Sequence, residues 1–365
     1  MCPEFEAQRM DPSSALRAVA IYGRKGGSTR VRLFDWLDAT GIPCVVHDYM
    51  GLSDARPRTF VRHPVRALAS EIRQARVARS PIDHLFLQRE ASPFSRGALE
   101  ERLLKSAALG VYDFDDALQW DERGVLIEVL RNRHRKTIRC ISAADRVIAG
   151  NEVLADFASS FSKDVVIIPS CVNQRRYTNK ASFELHDPPL LGWIGTPGGE
   201  KYVLGIATAL MEMNRRTGAR LQVVSGRKSS LGALEGIVDR FTWTEAISER
   251  IMSTWDVGIM PIEDRPFERG KCGYKLLQYA ASGLPAIASP VGVNEAICQN
   301  LGFLPASSQS DWVEAFMTVV DAPNKVREEI GRKAHDGVVR MFSFDAWKDQ
   351  WLVAVGATLP RTSSS

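Results

Sequence analysis

The chain has 365 residues, of which 45% are hydrophobic and 25% are charged, and its formal net charge at pH 7 is +4. This length exceeds one ordinary hydrophobic core and predicts two domains. No apolar run approaches the ~20 residues of a membrane-spanning helix, and no aromatic-interleaved basic motif is present, which disfavours a membrane-spanning protein and a nucleic-acid-binding protein.

The N-terminal residues and the cysteines indicate the cellular setting. Residues 1–14 lack a basic-then-apolar signal pattern, so we expect a flexible tail at 1–15 and a cytoplasmic protein. The six cysteines show no paired metal-ligand spacing. We therefore expect reduced thiols and no zinc site.

The first half alternates short apolar runs with helical or polar stretches. It begins with a buried strand at 16–23, a glycine turn at 26–28 and a helix at 29–38. Further strands are predicted at 43–49, 82–88, 110–114, 146–149 and 165–169. The alternation predicts a parallel sheet in an α/β domain.

A polar run at 178–189 that ends in two prolines separates the halves. It predicts a first domain at 16–185 and a second at 186–343, with a last helix at 344–357 packing back onto the first. Strands of the second domain are predicted at 190–195, 221–225, 257–261 and 286–289, and helices begin near Lys201, Ala246 and Gly273.

Arginines are concentrated between residues 56 and 79, where seven arginines face a single acid. The apolar residues of this stretch keep a helical spacing that the arginines do not share, which predicts a basic amphipathic helix at 65–79. The apolar positions are Val65, Leu68, Ile72 and Ala75. A solvated helix face and a peripheral contact with an anionic membrane or acceptor both explain the pattern.

Residues 268–293 combine a charged glycine-bearing loop, an amphipathic helix, a Gly-Leu-Pro turn and a buried strand. A helix N-terminus near Gly273 and the cations Arg269, Lys271 and Lys275 would suit a nucleotide phosphate. On spacing alone, an ordinary loop, helix and strand unit fits equally well.

Taken whole, this segment resembles the donor-binding signature of retaining GT-B glycosyltransferases of family four, which act on nucleotide-activated sugars. The family pattern is a Glu, then Gly-Phe-Gly, then a second Glu on the next helix, ahead of Gly-x-Pro. Anchored on residues 283–285, the second glycine of the pattern is Gly273, the first Glu falls on Gly270 and the second on Gln278. The resemblance implies an α/β GT-B fold with two Rossmann-like domains facing a central cleft.

The same resemblance implies roles for individual residues. Gln278 would bond a ribose hydroxyl through its amide, and Glu268 would replace the missing first Glu beside the donor sugar. Lys201 matches a family lysine, whereas Thr196 stands where the family has an arginine, so that Lys275 supplies the missing charge. Ser225 and Trp243 would lie at the ribose and base.

Two further glycine loops could contact phosphate. Residues 195–201 follow a strand and precede a helix, where amides and Lys201 could hold a diphosphate. Gly26 and Gly27 lie between a strand and a helix of the first domain, although a simple tight turn explains them as well and their spacing does not fit a dinucleotide motif. The predicted donor-binding residues are Gly26, Gly27, Thr196, Lys201, Ser225, Trp243, Arg269, Lys271, Gly273, Tyr274 and Gln278.

Acidic residues at 113–116 end a predicted strand and favour the acceptor side, because paired carboxylates bind sugar hydroxyls or assist proton transfer. An Asp-x-Asp metal site and a helix-capping turn are the alternatives. Arg89 ends another strand nearby, where a surface ion pair is the plainer explanation. No metal is expected, since lysine, arginine and helix amides can neutralise a leaving diphosphate.

The sequence therefore predicts a retaining glycosyltransferase that transfers a sugar from a nucleoside-diphosphate sugar, with UDP favoured by family frequency, to a hydroxyl acceptor without a cofactor. The alternatives are a GT-B epimerase or phosphorylase and a non-catalytic sugar-nucleotide-binding protein. Predicted catalytic residues are Glu268, Lys275, Asp115 and Asp116, and predicted acceptor-binding residues are Arg89 and Asp113.

Overall fold

The computed structural model describes residues 16–53, 57–120, 132–226 and 230–357, so the predicted tail at 1–15 lies outside the described residues. The described chain divides into two compact units, one of residues up to Ile168 together with those from Trp347 onward, the other Pro169–Ala346. The sequence placed the division later, at 185/186. Residues 169–185 belong instead with the second unit, where, for example, the amide of Lys180 donates to the carbonyl of Ser282 over 2.9 Å.

Strands of the first unit form one sheet in the order β2-β1-β3-β4-β5-β6, and every neighbouring pair is parallel. These strands are β1 (Leu16–Ala20), β2 (Cys44–Asp48), β3 (Ile82–Gln88), β4 (Ala107–Phe114), β5 (Arg146–Ala149) and β6 (Val165–Ile167). The central strands β1, β3, β4 and β5 are largely buried because helices cover both faces of the sheet, whereas the edge strands β2 and β6 are only partly buried.

The second unit repeats the plan with the order β12-β11-β10-β7-β8-β9, again parallel throughout. Its strands are β7 (Leu190–Ile194), β8 (Arg220–Ser225), β9 (Val238–Thr242), β10 (Val257–Met260), β11 (Ala286–Ala288) and β12 (Leu304–Pro305). The prediction of two Rossmann-like domains is confirmed.

The helices cover the sheet faces. In chain order they are α1 (Gly27–Thr29), α2 (Asp35–Thr40), α3 (Pro57–Arg62), α4 (Pro64–Val77), α5 (Ala98–Lys105), α6 (Arg133–Ala143), α7 (Glu152–Ser159), α8 (Glu200–Gly205), α9 (Ala207–Thr217), α10 (Glu245–Arg250), α11 (Pro266–Arg269), α12 (Tyr274–Ala281), α13 (Val293–Leu301), α14 (Gln309–Asp321), α15 (Asn324–Phe342) and α16 (Phe344–Ala354). A π-helical stretch, Arg30–Phe34, joins α1 to α2, and short 3₁₀ helices occur at Leu118–Trp120, Gln174–Arg176, Pro197–Gly199, Gly232–Ile237 and Ile251–Thr254. Within the described ranges, no helix has both the length and the apolarity that crossing a membrane requires.

Large aromatic side chains anchor the last helix in the first unit. The rings of Trp36 and Trp351 stack with their centroids 5.1 Å apart, and both side chains are fully buried. Phe86 of β3 packs on the same Trp351 with a centroid distance of 6.0 Å. Burial of such rings stabilises a fold by a few kcal/mol each, so α16 is fixed to the first sheet.

In each sheet the strand order reverses once. The reversal lies between β1 and β3 in the first unit and between β7 and β10 in the second. Ligands of open parallel sheets bind at such switch points, beyond the carboxyl ends of the strands. The loops that follow these four strands are therefore the first place to look for a site.

Candidate functional site

In the second unit, the loop after β7 lies over a tryptophan and a lysine. A Cβ atom added at Gly195 would lie 2.6 Å from the ring of Trp193 and 3.0 Å from Cε of Lys275. The ammonium nitrogen of Lys275 lies 5.7 Å from the centroid of the Trp193 ring. Lys275, on α12, is thus held against the glycine loop on which the sequence placed the diphosphate.

The start of α12 depends on one glycine. Gly273 has φ = +62°, and a Cβ atom added there would lie 2.5 Å from Cδ1 of Ile297 and 3.0 Å from Oδ1 of Asn294. A residue with a side chain would be strained in this left-handed conformation and would also clash. The turn leaves α12 beginning at Tyr274, with Lys275 in its first turn, where an anion is favoured by the helix dipole.

Glu268 forms a compact polar group with two residues of α8. Its side chain is only 4% exposed, and it accepts a hydrogen bond from the hydroxyl of Tyr202. The ammonium nitrogen of Lys201 lies 3.8 Å from Oε1 of Glu268, while 56% of the Lys201 side chain stays exposed. Glu268 therefore steadies Lys201 at the end of the glycine loop and leaves it accessible to an anion.

The other predicted donor residues lie on neighbouring elements. Ser225 ends β8, and its hydroxyl is buried without a hydrogen-bond partner among the described residues. Trp243 follows β9 with 40% of its surface exposed, and its amide donates to the carbonyl of Ser225 over 3.0 Å. Thr196 is exposed in the glycine loop, and Tyr274 is half-buried at the start of α12. A buried hydroxyl and an exposed aromatic ring on adjacent strands are groups that could contact a ribose and a flat base.

Three of the predicted donor residues already have protein partners. The guanidinium of Arg269 is paired with Asp264 in an exposed ion pair, and the ammonium of Lys271 lies 4.3 Å from the centroid of the Phe267 ring. The Gln278 amide donates to the hydroxyl of Tyr177 over 3.1 Å, and this glutamine is buried. Gln278 is thereby fixed in position on α12.

In the first unit, polar side chains from the loops after β1, β3 and β4 meet. The hydroxyl of Ser28 donates to the Asp115 carboxylate, with both oxygens at 2.7 Å, and accepts from Nε2 of Gln88 over 3.0 Å. Gly26 and Gly27 come directly before Ser28, at the turn into α1. The structure thus brings the predicted glycine turn and the predicted acidic cluster together.

Arg89 links the acidic cluster to the loop after β3. Its Nε donates to Oδ1 of Asp115 over 2.8 Å, and its NH2 group is paired with Asp116. It is not a surface ion pair, because the Arg89 side chain is only 11% exposed. Arg89 also has φ = +60°, which is uncommon for a residue with a side chain and is found where the surroundings over-determine the backbone.

These charges shift the pKa values of Asp115 and Arg89. Burial alone would raise the pKa of Asp115, but the positive charges of Arg89 and Arg32 and the hydrogen bond from Ser28 hold it below its ordinary value. The two aspartates in turn raise the pKa of Arg89 despite its burial. Asp116, with 28% of its side chain exposed, is the more accessible carboxylate of the pair.

Asp113 corrects the sequence-based prediction. Its side chain and that of Arg32 are both fully buried and form an ion pair, and Arg32 also donates to the carbonyl of Ile168 over 2.7 Å. No part of the Asp113 carboxylate is exposed to an acceptor. Residues 110–114 of β4 are all buried, and Asp113 lies among them, whereas Asp115 lies beyond the end of the strand.

Several residues of the site carried no sequence signal. Lys136 of α6 is buried and fixes the loop after β3, since its ammonium lies 2.9 Å from carboxylate oxygens of both Glu90 and Glu100 and 2.6 Å from the carbonyl of Ser92. Its partners lie 36 to 46 residues away in the sequence. In the second unit, Tyr202 could have been suspected only from its position next to Lys201.

The sequence of the second unit and the fold of the chain are similar to those of known proteins. Residues 188–321 match the family model described as Glycosyl transferases group 1. Among curated proteins, none matches the chain. The two six-stranded parallel sheets match solved structures of the GT-B class, which is the class that the fold defines.

Three solved structures illustrate the likeness. A sucrose-phosphate synthase from Thermosynechococcus elongatus is 16% identical with a TM-score of 0.69, and the match covers 92% of this chain and 97% of that one. The Anabaena protein Alr3699/HepE, in complex with UDP and glucose, is 12% identical with a TM-score of 0.65, over 94% and 99% of the two chains. A UDP-forming α,α-trehalose-phosphate synthase from Burkholderia vietnamiensis is 11% identical with a TM-score of 0.63, over 94% and 100%. At these identities the likeness shows the fold alone.

The family model covers most of the second unit, from the strand before the glycine loop to the end of α14. The matched region includes the segment around Gly273 that carries the resemblance found in the sequence.

Proposed function

We propose that the protein transfers a sugar from a nucleoside-diphosphate sugar, with UDP favoured, to a hydroxyl acceptor in glycan, glycolipid or natural-product biosynthesis. The observation that carries the donor half of this proposal is the position of Lys201 and Lys275 at the loop after β7. One lysine is steadied by Glu268 and the other packs on Gly195, both at the switch point of the second sheet. Two cations beside loop amides and a helix N-terminus fit a diphosphate.

The proposed chemistry relies on stabilising the leaving group. When the bond between the sugar and the diphosphate breaks, negative charge grows on the phosphate oxygens that Lys201 and Lys275 would contact. Charges held in place before the reaction favour that transition state without reorganisation. The departing phosphate would take the acceptor proton on the same face of the sugar, and Glu268 would orient the sugar.

Acceptor binding is proposed for the polar cluster at the first sheet's switch point. Asp115 and Asp116 are both paired with Arg89. Despite its burial, Asp115 has a pKa held below its ordinary value by Arg89 and Ser28, and ionised carboxylates accept hydrogen bonds from sugar hydroxyls. Asp116 is the more exposed of the two and is the favoured contact. Gly26 and Gly27, at the same turn, would leave room for the donor phosphate or the acceptor.

The preference for UDP draws on structural neighbours. The Anabaena neighbour is described in complex with UDP and glucose, and the Burkholderia neighbour is described as UDP-forming. The exposed ring of Trp243 beside Ser225 could stack with a uracil or another base. Of the alternatives, a non-catalytic sugar-nucleotide-binding protein is supported by Gly270 and Gln278 at the two glutamate positions of the family pattern.

The first experiment measures thermal stabilisation of the purified protein by UDP, GDP and dTDP, each with magnesium and with a chelator. A ligand that binds only the folded state raises the unfolding temperature by mass action. We expect UDP to raise the unfolding temperature more than GDP or dTDP does, both with magnesium and with chelator. We also expect the purified protein to hydrolyse a UDP-sugar slowly. Stabilisation by UDP without turnover of any UDP-sugar would favour the non-catalytic alternative, and the lack of a shift with all three nucleotides would contradict the donor site.

Cytoplasmic location and peripheral contact with the inner membrane surface through residues 65–79 also belong to the proposal. They are supported by the basic composition of that helix.

A further inference from the structure

Helix α4 has its large aliphatic side chains on the outside. Three of its four buried residues, Ala67, Ser70 and Gln74, are small or polar, and the fourth is Val77 at its last position. In contrast, Val65 is 78% exposed, Leu68 62% and Ile72 44%. A surface helix normally buries its aliphatic stripe, so this face is left without a partner in the described chain.

The apolar face continues onto neighbouring elements. Val61 of α3 is 79% exposed. Phe94, in the loop after β3, is 58% exposed, and its ring centroid lies 5.1 Å from that of Phe60 on α3. We call the exposed apolar residues of α3, α4 and this loop the α3–α4 face: Val61, Val65, Leu68, Ile72 and Phe94.

Hydrogen bonds fix the orientation of α4, with its aliphatic side chains on the outside. The hydroxyl of Tyr49 donates to the carbonyl of Ala67 over 3.2 Å, and Gln74 Nε2 donates to the carbonyl of His47 over 3.1 Å. Glu71 accepts a hydrogen bond from the hydroxyl of Ser92. The polar side of α4 is therefore used for packing against the domain, which fixes the aliphatic side outward.

Exposed arginines border this apolar face. Arg66 and Arg73 lie along one side of α4, Arg76 continues the stripe one turn beyond Ile72, and Arg62 lies on α3. The only acid of α3 and α4 is Glu71, which is bonded to Ser92. Aliphatic side chains next to arginines match an anionic lipid surface, where the apolar groups enter the acyl boundary and the guanidinium groups meet phosphates.

We infer that the α3–α4 face inserts shallowly into an anionic bilayer and docks the first unit on it. This inference gives the proposed membrane contact a defined apolar surface and a lipid class, and it does not depend on the donor chemistry. A second copy of the chain fits the face less well, because a symmetric contact would bring like-charged arginines together. A nucleic acid would leave the aliphatic side chains without a partner.

Docking in this way has a consequence for the acceptor, which rests on the proposed function. Phe94 and Arg89 belong to one loop, and Arg89 holds Asp115 and Asp116. A bilayer in contact with Phe94 would therefore lie beside the proposed acceptor residues. The acceptor hydroxyl would then belong to a lipid-carried molecule.

The test is co-sedimentation of the full chain with vesicles of phosphatidylcholine alone and of phosphatidylcholine with phosphatidylglycerol, at low and high salt. We expect binding to the anionic vesicles, weakened by salt. A Val65→Ser/Leu68→Ser variant should lose about tenfold or more in affinity, and an Arg66→Gln/Arg76→Gln variant should lose most of the salt-sensitive part. A matched control is Val353→Ser, which removes a 70% exposed valine from α16 and should leave binding unchanged.

Folding and donor binding are measured on the same variants. Because the replaced side chains are exposed, thermal midpoints and stabilisation by UDP should match those of the wild type. The inference is overturned if anionic vesicles do not bind, if the serine variant binds as the wild type does, or if size exclusion shows a dimer that the serine substitutions dissociate. If UDP does not stabilise the wild type, this result counts against the donor proposal and does not affect the docking result.

Discussion

The ammonium of Lys201 and the buried carboxylate of Glu268 lie 3.8 Å apart, although three strands of the second sheet, β8 to β10, separate the two residues in sequence. The carboxylate also accepts from Tyr202, so its position is fixed from two sides. A fixed carboxylate can orient both a phosphate-binding lysine and a donor sugar. Substitution of Glu268 is therefore the most direct test of the proposed mechanism.

Glu268→Gln should lower turnover by about a hundredfold or more, because the charge that orients the sugar is lost. The thermal midpoint should change little, since a glutamine oxygen can still accept from Tyr202. Steady-state turnover of UDP-sugar and thermal unfolding measure the two effects. Glu263→Gln is the matched control, because Glu263 lies in the loop before α11 with 42% of its side chain exposed. Wild-type turnover in Glu268→Gln would assign this residue a structural role only.

Lys201→Ala and Lys275→Ala should each weaken UDP binding by roughly tenfold to a hundredfold, since a hydrogen bond to a charged group contributes about 1.5–3 kcal/mol. Titration calorimetry with UDP measures the loss, and the salt dependence of binding should fall in both variants. Lys325→Ala removes an exposed lysine of α15 and should bind UDP normally. If all three variants bind UDP with equal affinity, the diphosphate does not bind at Lys201 and Lys275.

Gly273→Ala should lower the free energy of unfolding by about 1–3 kcal/mol and weaken UDP binding, because the added methyl is strained at φ = +62° and meets Ile297. The control is Gly205→Ala at the end of α8, where an added Cβ atom meets no atom within 4 Å. That substitution should be neutral or slightly stabilising. Denaturant unfolding compares the two, and an equally mild effect at both positions would contradict the strained turn at Gly273.

The sequence was most informative where apolar runs are continuous. Strands β3 and β5 begin and end where the sequence placed them, because each contains a continuous run of three buried apolar residues, at 85–87 and 147–149. Strand β9 was missed because Val238–Thr242 is a half-exposed edge strand whose polar residues interrupt the pattern. The two-residue strand β12 is too short to leave any pattern.

For the candidate site, local motifs indicated the glycine-bearing loops but not the partners of each side chain. The glycine loop, Gly273 and Lys275 are neighbours in sequence or belong to a recognisable motif. Pairings such as Arg32 with Asp113 join residues 81 apart, and nothing local indicates them. The burial of Asp113 is readable only once the register of β4 is known, which is why one carboxylate of the predicted cluster was assigned wrongly to the acceptor.

The stability contributed by Asp115 should depend on pH. Its pKa in the folded protein lies below the ordinary value of 3.8, so the ionised form is favoured by folding. The contribution is fully present above the ordinary value and is lost as the pH falls through the folded pKa. Asp115→Asn should therefore lower the free energy of unfolding by about 1–3 kcal/mol near neutral pH, because the hydrogen bonds from Arg89 and Ser28 lose a charged partner. Below pH 4 this difference from the wild type should shrink. Urea unfolding at several pH values measures it, with the exposed Asp349→Asn as a control that should show almost no difference. A difference that keeps its neutral value into acid would mean that the carboxylate is not held ionised by Arg89.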